Sequence, residues 1–529
     1  MLQKRLALIA LLFSANIPSA FAQDWTNWRG PNFNGSTQAT GLPVKFSRTQ
    51  GVKWAADLPG PSAGTPIIYR DYVFVSSTDL KAQELVALCF NRKTGKLRWR
   101  QVAGSGYMPG GAGNRIMLED RSNYASPSPV TDGKHVVFFY GNGDLVCFTT
   151  DGRKIWARNF QKEYGDFAFQ WTFSSTPQLY GGKLYAQILQ RNQPAAGGRG
   201  KQGAESFLLA IDPASGKNLW KQVRNTDARM ESRESYGTPI PFQINIRTEL
   251  IISGGDIVTG HDPATGRELW RWGTYNPEHR EPYWRQVPSA VAGGGVVLSC
   301  APKRAPVYAV KAGLSGDIST SGLAWKSEER SPMTSDVPTP LFYRGKFYIL
   351  SDVRKAITCA EPATGKQVWS TELPGIPLCW GSPTGADGAG SPSGAGVTTN
   401  VPWIMFIAQE KPYSPAARGP RSTVVCWCAG RARLMPRSPN TTRPVQSPDS
   451  RRSKAIRSGT PATASMRAGT YPPATTTVTC CRPSRCSVRA AGRREPKKNH
   501  TSAPASAITA ATTRTSDPFM ASSLRLCGF

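Results

Sequence analysis

The chain has few histidines and few acidic residues, and both shortages limit the chemistry that it can carry. Its 529 residues include 4 His, and 35 Asp and Glu against 65 Lys and Arg, so the formal net charge is +30. The histidines are scattered, and none stands at metal-ligand spacing from a cysteine or an acid. We therefore expect no zinc or copper site and assign no metal ligand.

Long apolar runs are absent after the first two dozen residues. Residues 6–17 form one such run, which follows Lys4-Arg5 and precedes Ala20-Phe21-Ala22. The run is too short to span a bilayer, and this order of basic, apolar and small residues is typical of a secretory signal. We predict a cleaved signal peptide over residues 1–22, no transmembrane segment, and a periplasmic or secreted protein.

The cysteines are spread too thinly to define a disulfide framework. Six of the 11 lie beyond residue 420. The other five lie in or near strand-like runs, where we expect buried free thiols: Cys89, Cys147, Cys300, Cys359 and Cys379.

In place of helical periodicity, the sequence has a repeated turn followed by tryptophan. Asp262-Pro-Ala-Thr-Gly-Arg267 is a clear copy of the turn. Asp can bond the backbone ahead of it, Pro presets φ and Gly takes a positive φ, so each turn closes a hairpin. We interpret the tryptophans as wedges between neighbouring sheets. They stand 45, 57, 64, 50, 55 and 44 positions apart: Trp54, Trp99, Trp156, Trp220, Trp270, Trp325 and Trp369.

Two further strand candidates precede each turn. One opens with Ser/Thr-Pro, as at Thr65-Pro66 and Thr339-Pro340, and the other is a β-branched and aromatic run such as His135–Phe139. Short strands at even spacing, repeated along most of the chain, predict an all-β fold of four-stranded blades, a β-propeller. A generic solenoid of strands is the alternative.

The end of the chain differs in composition from the repeats. Residues 401–529 hold 21 Lys and Arg against four acids, 15 Pro, and 16 Val, Ile, Leu and Phe. So few apolar residues cannot build a core, and we predict a disordered basic tail over residues 389–529. The tail could bind nucleic acid or an anionic surface, or it could be a natural disordered extension. The third explanation, which we favour, is a shift of reading frame near Gly388. Without interleaved aromatics for base stacking, we expect no nucleic acid partner.

Several motifs outside the turns resemble one known family. They are the opening Trp25-Thr-Asn-Trp28-Arg29-Gly30-Pro31, the segment Tyr124-Ala-Ser-Pro-Ser-Pro129 and the run 253–266. In these motifs the chain resembles the exported PQQ-like (pyrroloquinoline-quinone-like) β-propeller repeat proteins. The resemblance implies seven or eight four-stranded blades, with the strand around Trp54 completing the last one. About six blades are complete before the pattern breaks off, and we place the propeller at residues 23–388.

The same resemblance links the chain to the propeller component of the outer-membrane β-barrel assembly machinery, a scaffold, and more distantly to quinoprotein alcohol dehydrogenases. Those enzymes need a calcium held by Glu, Asn and Asp, a basic Asp, a Trp floor and a vicinal disulfide within the first blades. This chain has Cys480-Cys481, but in its tail, and no acid cluster matches residue by residue. We assign no catalytic residue and no cofactor, lean towards a non-enzyme, and keep a calcium- and PQQ-dependent dehydrogenase as the alternative.

A binding site is easier to place than a catalytic one. In a propeller the loops before the innermost strands converge on one mouth of the channel, and here those loops carry aromatic and charged residues. The alternative is that these side chains only plug the channel. We expect a monomeric platform that binds another exported protein or a small ligand, and we interpret the Gly- and Arg-rich stretch 191–201 as a flexible loop. The predicted site consists of Tyr124, Trp171, Glu234, Tyr236, Trp284, Arg285, Asp336 and Trp380.

Overall fold

The computed structural model describes residues 24–38, 52–106, 122–195, 199–273, 275–373 and 380–386, and four short C-terminal strands by their backbone alone. The predicted signal peptide, Cys379 and almost all of the predicted tail lie outside the described residues. The signal peptide and the boundary at residue 388 therefore stay predictions.

Six four-stranded antiparallel sheets follow one another along the described chain, and we number them blades 1 to 6. In each blade the strands lie side by side in chain order, from an inner strand to an outer strand. The predicted all-β, PQQ-like propeller of four-stranded blades is confirmed. Blade 1 has strands Ile67–Tyr69, Tyr72–Asp79, Glu84–Asn91 and Leu97–Ser105; blade 2 has Val130–Thr131, His135–Phe139, Asp144–Thr149 and Lys154–Asn159; blade 3 has Gln178–Tyr180, Lys183–Ile188, Phe207–Ile211 and Asn218–Val223; blade 4 has Ile240–Ile244, Arg247–Gly254, Ile257–His261 and Glu268–Trp272; blade 5 has Val291–Gly293, Val296–Cys300, Val307–Lys311 and Leu323–Lys326; blade 6 has Leu341–Tyr343, Lys346–Ser351, Ala356–Ala360 and Gln367–Glu372.

Shorter elements complete the description. A two-residue strand, Gly316–Asp317, runs parallel to the outer strand of blade 4. The helical elements within the described ranges are the α-helix Phe160–Tyr164 and the 3-10 turns Met230–Arg233 and Pro277–His279. Three antiparallel pairs lie outside the six blades: Val52–Leu58 with Ser522–Cys527, Thr384–Ala386 with Trp403–Met405, and Ile407–Gln409 with Val425–Trp427.

The largest apolar clusters lie between neighbouring blades. Phe139 of blade 2 and Leu184 and Leu209 of blade 3 belong to one buried cluster, and each such side chain contributes about 2 kcal/mol by leaving water. Blades 1 and 2 share a second cluster in the same way, through Phe74 and Phe138. The blades are therefore held as a series, each one packed against the next.

The repeated turn has the geometry that its residues predict. In the blade 4 copy, the Asp262 carboxylate accepts the Ala264 N–H at 2.7 Å, and Gly266 has φ of +78°. A Cβ on Gly266 would lie 2.6 Å from the Trp220 ring of blade 3. Glycine is required here both for the left-handed backbone and for the approach of the neighbouring blade's tryptophan.

Each repeat tryptophan faces a small residue on the adjacent strand of its own blade. Because the indole lies flat across the sheet, a larger partner would displace it. A Cβ on Gly260, for example, would lie 2.1 Å from the Trp270 Nε1. Three of these partners are cysteines, which are buried free thiols as predicted. The partners of Trp99, Trp156, Trp220, Trp270, Trp325 and Trp369 are Cys89, Cys147, Ala210, Gly260, Ala309 and Cys359.

Five indole N–H groups donate to a carbonyl in the turn of the following blade, so the tryptophans join blades by hydrogen bonds as well as by packing. Trp54 makes this contact with blade 1, which gives its strand the place of an outer strand before that blade. The contacts are Trp54 to Arg92 at 2.8 Å, Trp99 to Thr150 at 2.9 Å, Trp156 to Pro213 at 2.8 Å, Trp220 to Pro263 at 3.3 Å and Trp325 to Pro362 at 2.6 Å.

Blade 4 departs from this scheme. The Trp270 indole packs with Val297 and Val310 of blade 5, but its N–H donates at 2.6 Å to the buried Glu249 carboxylate of its own blade. The following turn, in blade 5, lacks the Asp-x-x-Thr-Gly form and contains the strand Gly316–Asp317 instead. A side-chain acceptor therefore takes the place of the missing turn carbonyl.

Candidate functional site

A series of hydroxyl groups connects the loops that precede the inner strands. Five Ser or Thr residues at the ends of these loops, four of them in Ser/Thr-Pro pairs, donate the backbone N–H to the hydroxyl of the equivalent residue in the next blade. This contact explains why the motif recurs, since proline ends the loop and the hydroxyl receives the neighbour. The donors and acceptors are Thr65 to Ser128 at 2.8 Å, Ser128 to Thr176 at 3.0 Å, Thr238 to Ser289 at 2.8 Å, Ser289 to Thr339 at 3.0 Å and Thr339 to Ser382 at 3.0 Å.

The loops before blades 3 and 4 meet around a buried carboxylate. Glu234 is fully buried; one of its oxygens accepts the Tyr236 hydroxyl at 2.6 Å. The other oxygen accepts the Gln170 N–H at 3.0 Å and the Arg191 Nε–H. The Tyr236 hydroxyl in turn accepts the Trp171 N–H at 3.3 Å. The base of the site is therefore a connected polar network with little access to water.

Burial sets the protonation of this network. It raises the pKa of Glu234 to about 7, against the opposing effect of the Arg191 charge and of the Tyr236 hydroxyl. Burial and the Glu234 charge together hold the pKa of Tyr236 well above its usual range. Glu234 therefore titrates close to neutral pH, where a small change in its surroundings alters the charge of the site.

A second carboxylate, Glu231, lies at the rim of the network. It accepts the Trp171 indole N–H at 3.2 Å, and it pairs with Arg285 at 3.4 Å and with Arg191 at 3.8 Å. Arg285 comes from the loop before blade 5, so three successive loops contribute to one cluster. Because Glu231 is shared between two guanidinium groups, neither arginine is fully neutralised by it.

A third arginine, Arg199, approaches from the loop after the second strand of blade 3. Its Nη2 donates to the Gln170 carbonyl at 3.1 Å, and burial lowers its pKa, against the opposing charges of Tyr236, Glu234 and Tyr124. Burial raises the pKa of the Tyr124 phenol, and the charge of Arg199 opposes that shift. No carboxylate pairs with Arg199 among the described side chains. We call these residues the mouth cluster: Trp171, Arg191, Arg199, Glu231, Glu234, Tyr236 and Arg285.

Four of the eight predicted site residues thus come together: Trp171, Glu234, Tyr236 and Arg285. Tyr124 lies at the edge of this group through its electrostatic contact with Arg199. The residues that the prediction missed are Arg191, Arg199 and Glu231. The first two lie in the stretch 191–201, which we interpreted as a flexible loop. Its two arginines and one lysine were the available signal, and so was the acid at position 231, three residues before Glu234.

The other predicted residues have separate surroundings. Trp284 donates its backbone N–H to the Ser232 hydroxyl at 2.7 Å, and its ring packs with the apolar cluster between blades 4 and 5. Asp336 accepts the Lys303 N–H at 2.9 Å, near blades 5 and 6. Trp380 is half-buried in the segment that leads to the strand Thr384–Ala386.

The mouth cluster does not fit a calcium ion. Calcium takes six to eight oxygen ligands, whereas here both Glu234 oxygens accept donors already and the two carboxylates face three guanidinium groups. Elsewhere among the residues whose side chains are described, no three His, Cys, Asp or Glu come together as potential metal ligands. Both carboxylates of the cluster are paired with arginine.

No helix within the described ranges is both long and apolar enough to cross a membrane.

The blades, their tryptophan turns and the mouth define a PQQ-like β-propeller. The chain belongs to the family described as outer membrane protein assembly factor BamB, whose profile matches residues 86–371, more than half of the chain.

Individual relatives are distant. A polyvinylalcohol dehydrogenase from Pseudomonas sp is 23% identical over 227 residues, which are 42% of this chain and 30% of that protein, so the match spans less than a third of the relative's length. A europium-containing methanol dehydrogenase structure is 10% identical with a TM-score of 0.48 and covers 73% of this chain and 82% of its own. The structure of BamB from Moraxella catarrhalis is 12% identical with a TM-score of 0.42 and covers 68% and 85%.

Proposed function

We propose that this protein is a non-catalytic, exported binding platform, and that it holds an acidic group of a partner protein or a small ligand at the mouth cluster. The observation that carries the proposal is the charge of that cluster. Three guanidinium groups face two carboxylates, and one of these, Glu234, has a pKa of about 7. The cluster therefore keeps a positive charge in every protonation state of Glu234.

The mouth cluster has a buried base and a half-buried rim. This division supports a binding site over side chains that only plug the channel. Glu234 and Arg191 are buried, whereas Trp171, Arg199 and Arg285 are half-buried and reach solvent. A guanidinium beside an aromatic ring is a common recognition pair for carboxylates at interfaces, since arginine offers a planar fork of donors and the ring excludes water. A platform role also agrees with the family, whose description is of an assembly factor.

The catalytic alternative is a calcium- and PQQ-dependent dehydrogenase. The relative named as a polyvinylalcohol dehydrogenase keeps this alternative open. Against it stands the donor set of the mouth, where arginines occupy the surroundings of both carboxylates. We therefore assign no reaction step to this chain.

The test is binding to a peptide array that contains acidic, neutral and basic sequences of equal length. We expect selective, salt-sensitive binding of acidic peptides, because exposed charge pairs weaken as salt rises. Arg285→Gln should reduce this binding about tenfold. Arg267→Gln, which removes an exposed charge from a blade 4 turn, is the matched control and should leave binding unchanged. Equal loss of peptide binding in both variants would mean that the overall charge of the protein, and not the mouth cluster, accounts for binding. That result would contradict the proposal.

The same purified protein is used to test the alternative function, a calcium- and PQQ-dependent dehydrogenase. The protein is incubated with PQQ and calcium chloride, passed through a gel-filtration column, and assayed for oxidation of primary and secondary alcohols with an artificial electron acceptor. We expect no PQQ to remain with the protein. Retained PQQ together with calcium-dependent oxidation would replace the platform proposal with the dehydrogenase.

A further inference from the structure

The N-terminal segment Asp24–Thr37 belongs to no blade, yet it contacts the inner strands of several. We call it the axial segment. Trp25 forms an antiparallel bridge with Ile68 of blade 1, with both N–H···O distances at 2.8 Å. The Thr26 carbonyl accepts the Thr131 N–H of blade 2 at 3.0 Å. The first residues of the segment are therefore bound along two consecutive inner strands.

The segment then reaches blade 3 and blade 6. The Asn27 side-chain oxygen accepts the Gln178 amide of blade 3 at 2.6 Å, and the Asn34 carbonyl accepts the Phe342 N–H of blade 6 at 3.4 Å. Thr37 donates to the Gly385 carbonyl at 2.9 Å, in the strand that follows blade 6. Since inner strands of successive blades are neighbours, a segment that joins blades 1, 2, 3 and 6 lies across the propeller axis.

Arg29 is the centre of these contacts. It is 3% exposed, and its guanidinium donates to the Pro340 carbonyl at 2.8 Å, the Pro383 carbonyl at 3.1 Å and the Asn34 carbonyl at 3.1 Å. Burial lowers the pKa of Arg29 to about 9, so it is still charged at neutral pH. Among the described residues no carboxylate pairs with it. The residues just before the inner strand of blade 6 and before the strand that follows it thus present two backbone carbonyls to one guanidinium, and the axial segment supplies the third; we call these three carbonyls the carbonyl cage.

The axial segment is folded to fit this cage. Gly35 has φ of +86°, and a Cβ there would lie 2.1 Å from the Arg29 Nη2. Gly30 has φ of +74°, and a Cβ there would lie 2.7 Å from the Trp25 ring. The opening motif, which does not recur in the blades, therefore includes residues that pack in two pairs, Trp25 with Gly30 and Arg29 with Gly35.

We propose that the inner strands form a peptide-binding site on the propeller axis, specific for an extended segment with one guanidinium, and that residues 24–37 occupy this site as a separable ligand of their own chain. The site selects arginine over lysine because two carbonyls of the blades and one of the segment itself surround a flat fork of donors, a geometry that an ammonium group cannot match. It is distinct from the mouth cluster, which lies in the loops before the inner strands and consists of charged side chains.

The test cuts the segment from the blades in the full-length chain. A recognition sequence for a specific protease is inserted within residues 40–49, and the purified protein is cleaved, denatured in urea and refolded with a fluorescently labelled synthetic peptide of residues 24–37. Refolding gives the labelled peptide access even where exchange from the native state is slow. Fluorescence anisotropy and gel filtration then measure the bound fraction, and unlabelled peptides compete for the site.

We expect the labelled peptide to remain with the protein through gel filtration. An Arg29→Met peptide should compete about 100-fold less well, because three buried carbonyls lose their donor, and an Arg29→Lys peptide about 10-fold less well. An Asn32→Ser peptide is the control, since Asn32 is exposed, and it should compete like the parent. If the labelled peptide separates from the cleaved protein on gel filtration while the blades melt at the same temperature as in the uncleaved protein, the proposal is overturned. Equal competition by the Arg29→Lys peptide would overturn the guanidinium specificity.

Discussion

Two buried guanidinium groups are held in opposite ways, and the difference separates a site of fixed charge from one whose charge depends on pH. Arg29 is 3% exposed and donates only to backbone carbonyls. Arg191 is 4% exposed and faces the carboxylates of Glu234 and Glu231. Carbonyls of the inner strands cannot titrate or change rotamer, so the Arg29 site is fixed with the fold. The mouth cluster consists of side chains that can do both.

The same contrast recurs among the tryptophans. The Trp99 indole N–H donates to a turn carbonyl of the next blade, whereas the Trp270 N–H donates to the buried Glu249 carboxylate. A carbonyl that loses its donor loses one neutral hydrogen bond. A buried carboxylate that loses a donor becomes an under-solvated charge, which is more costly. The contrast is therefore open to direct tests of stability.

The largest effect should follow from Gly35→Ala, which disrupts the carbonyl-bound arginine without changing any charge. The new Cβ would lie 2.1 Å from the Arg29 guanidinium at a φ of +86°, so we expect a loss of about 3 to 5 kcal/mol in the free energy of unfolding. Gly345→Ala is the control, since Gly345 has φ of +70° with nothing within 4 Å of a Cβ. It should cost only about 1 kcal/mol.

Urea unfolding followed by tryptophan fluorescence measures both variants. If the two glycine variants lose equal stability, the backbone conformation alone accounts for the effect, and the close packing of Gly35 on Arg29 contributes nothing.

An intermediate effect is expected from Trp270→Phe compared with Trp99→Phe. Both keep an aromatic ring between blades and remove one indole N–H. Loss of the 2.6 Å contact to Glu249 should cost about 2 to 3 kcal/mol, because Glu249 is fully buried. Loss of the contact from Trp99 to the Thr150 carbonyl should cost about 1 kcal/mol. Thermal unfolding of the two variants side by side gives the comparison, and a larger loss in Trp99→Phe would contradict it.

The sequence predicted the blades because their signals are local. The turn of Asp262 to Arg267 and the tryptophan after it lie within ten residues, and the turn closes on itself, since the Gly266 N–H donates to the Asp262 carbonyl at 2.8 Å. The Arg29 cage was not predictable in this way, since Arg29 and Pro383 are 354 positions apart. Only the folded arrangement of the axial segment against the residues before these strands brings the Pro340 and Pro383 carbonyls to one point.

Four of the seven residues of the mouth cluster were predicted for a related reason. Trp171, Glu234, Tyr236 and Arg285 lie in loops before inner strands, which the repeat pattern locates. Arg191 follows the second strand of blade 3 directly, so the pattern assigns it to a different kind of loop. Its ion pair with Glu234 depends on how that loop folds back. The repeat pattern therefore predicts contacts of the loops before inner strands but not those of the loops between the other strands of a blade.

The smallest of these effects should be the pH dependence that Glu234 of the mouth cluster contributes to stability. The pKa of Glu234 is raised to about 7 by burial, so the folded chain binds more protons than the unfolded chain between roughly pH 4.5 and 7. Its contribution to stability is complete below that window and is lost as pH rises through 7. Over pH 5 to 7 the loss should be about 2 kcal/mol.

His261 acts with the opposite sign, because burial lowers its pKa to about 4 and stability from this group increases as pH rises through the same window. The informative quantity is therefore the difference between Glu234→Gln and the unchanged chain at each pH, in which the His261 contribution cancels. Relative to the unchanged chain, Glu234→Gln should gain about 2 kcal/mol between pH 5 and 7. Glu231→Gln removes a charge from the same cluster at a less buried position and should show a smaller difference. A flat difference for Glu234→Gln would mean that Arg191 keeps Glu234 ionised throughout, which would make the mouth as rigid in charge as the carbonyl cage of Arg29.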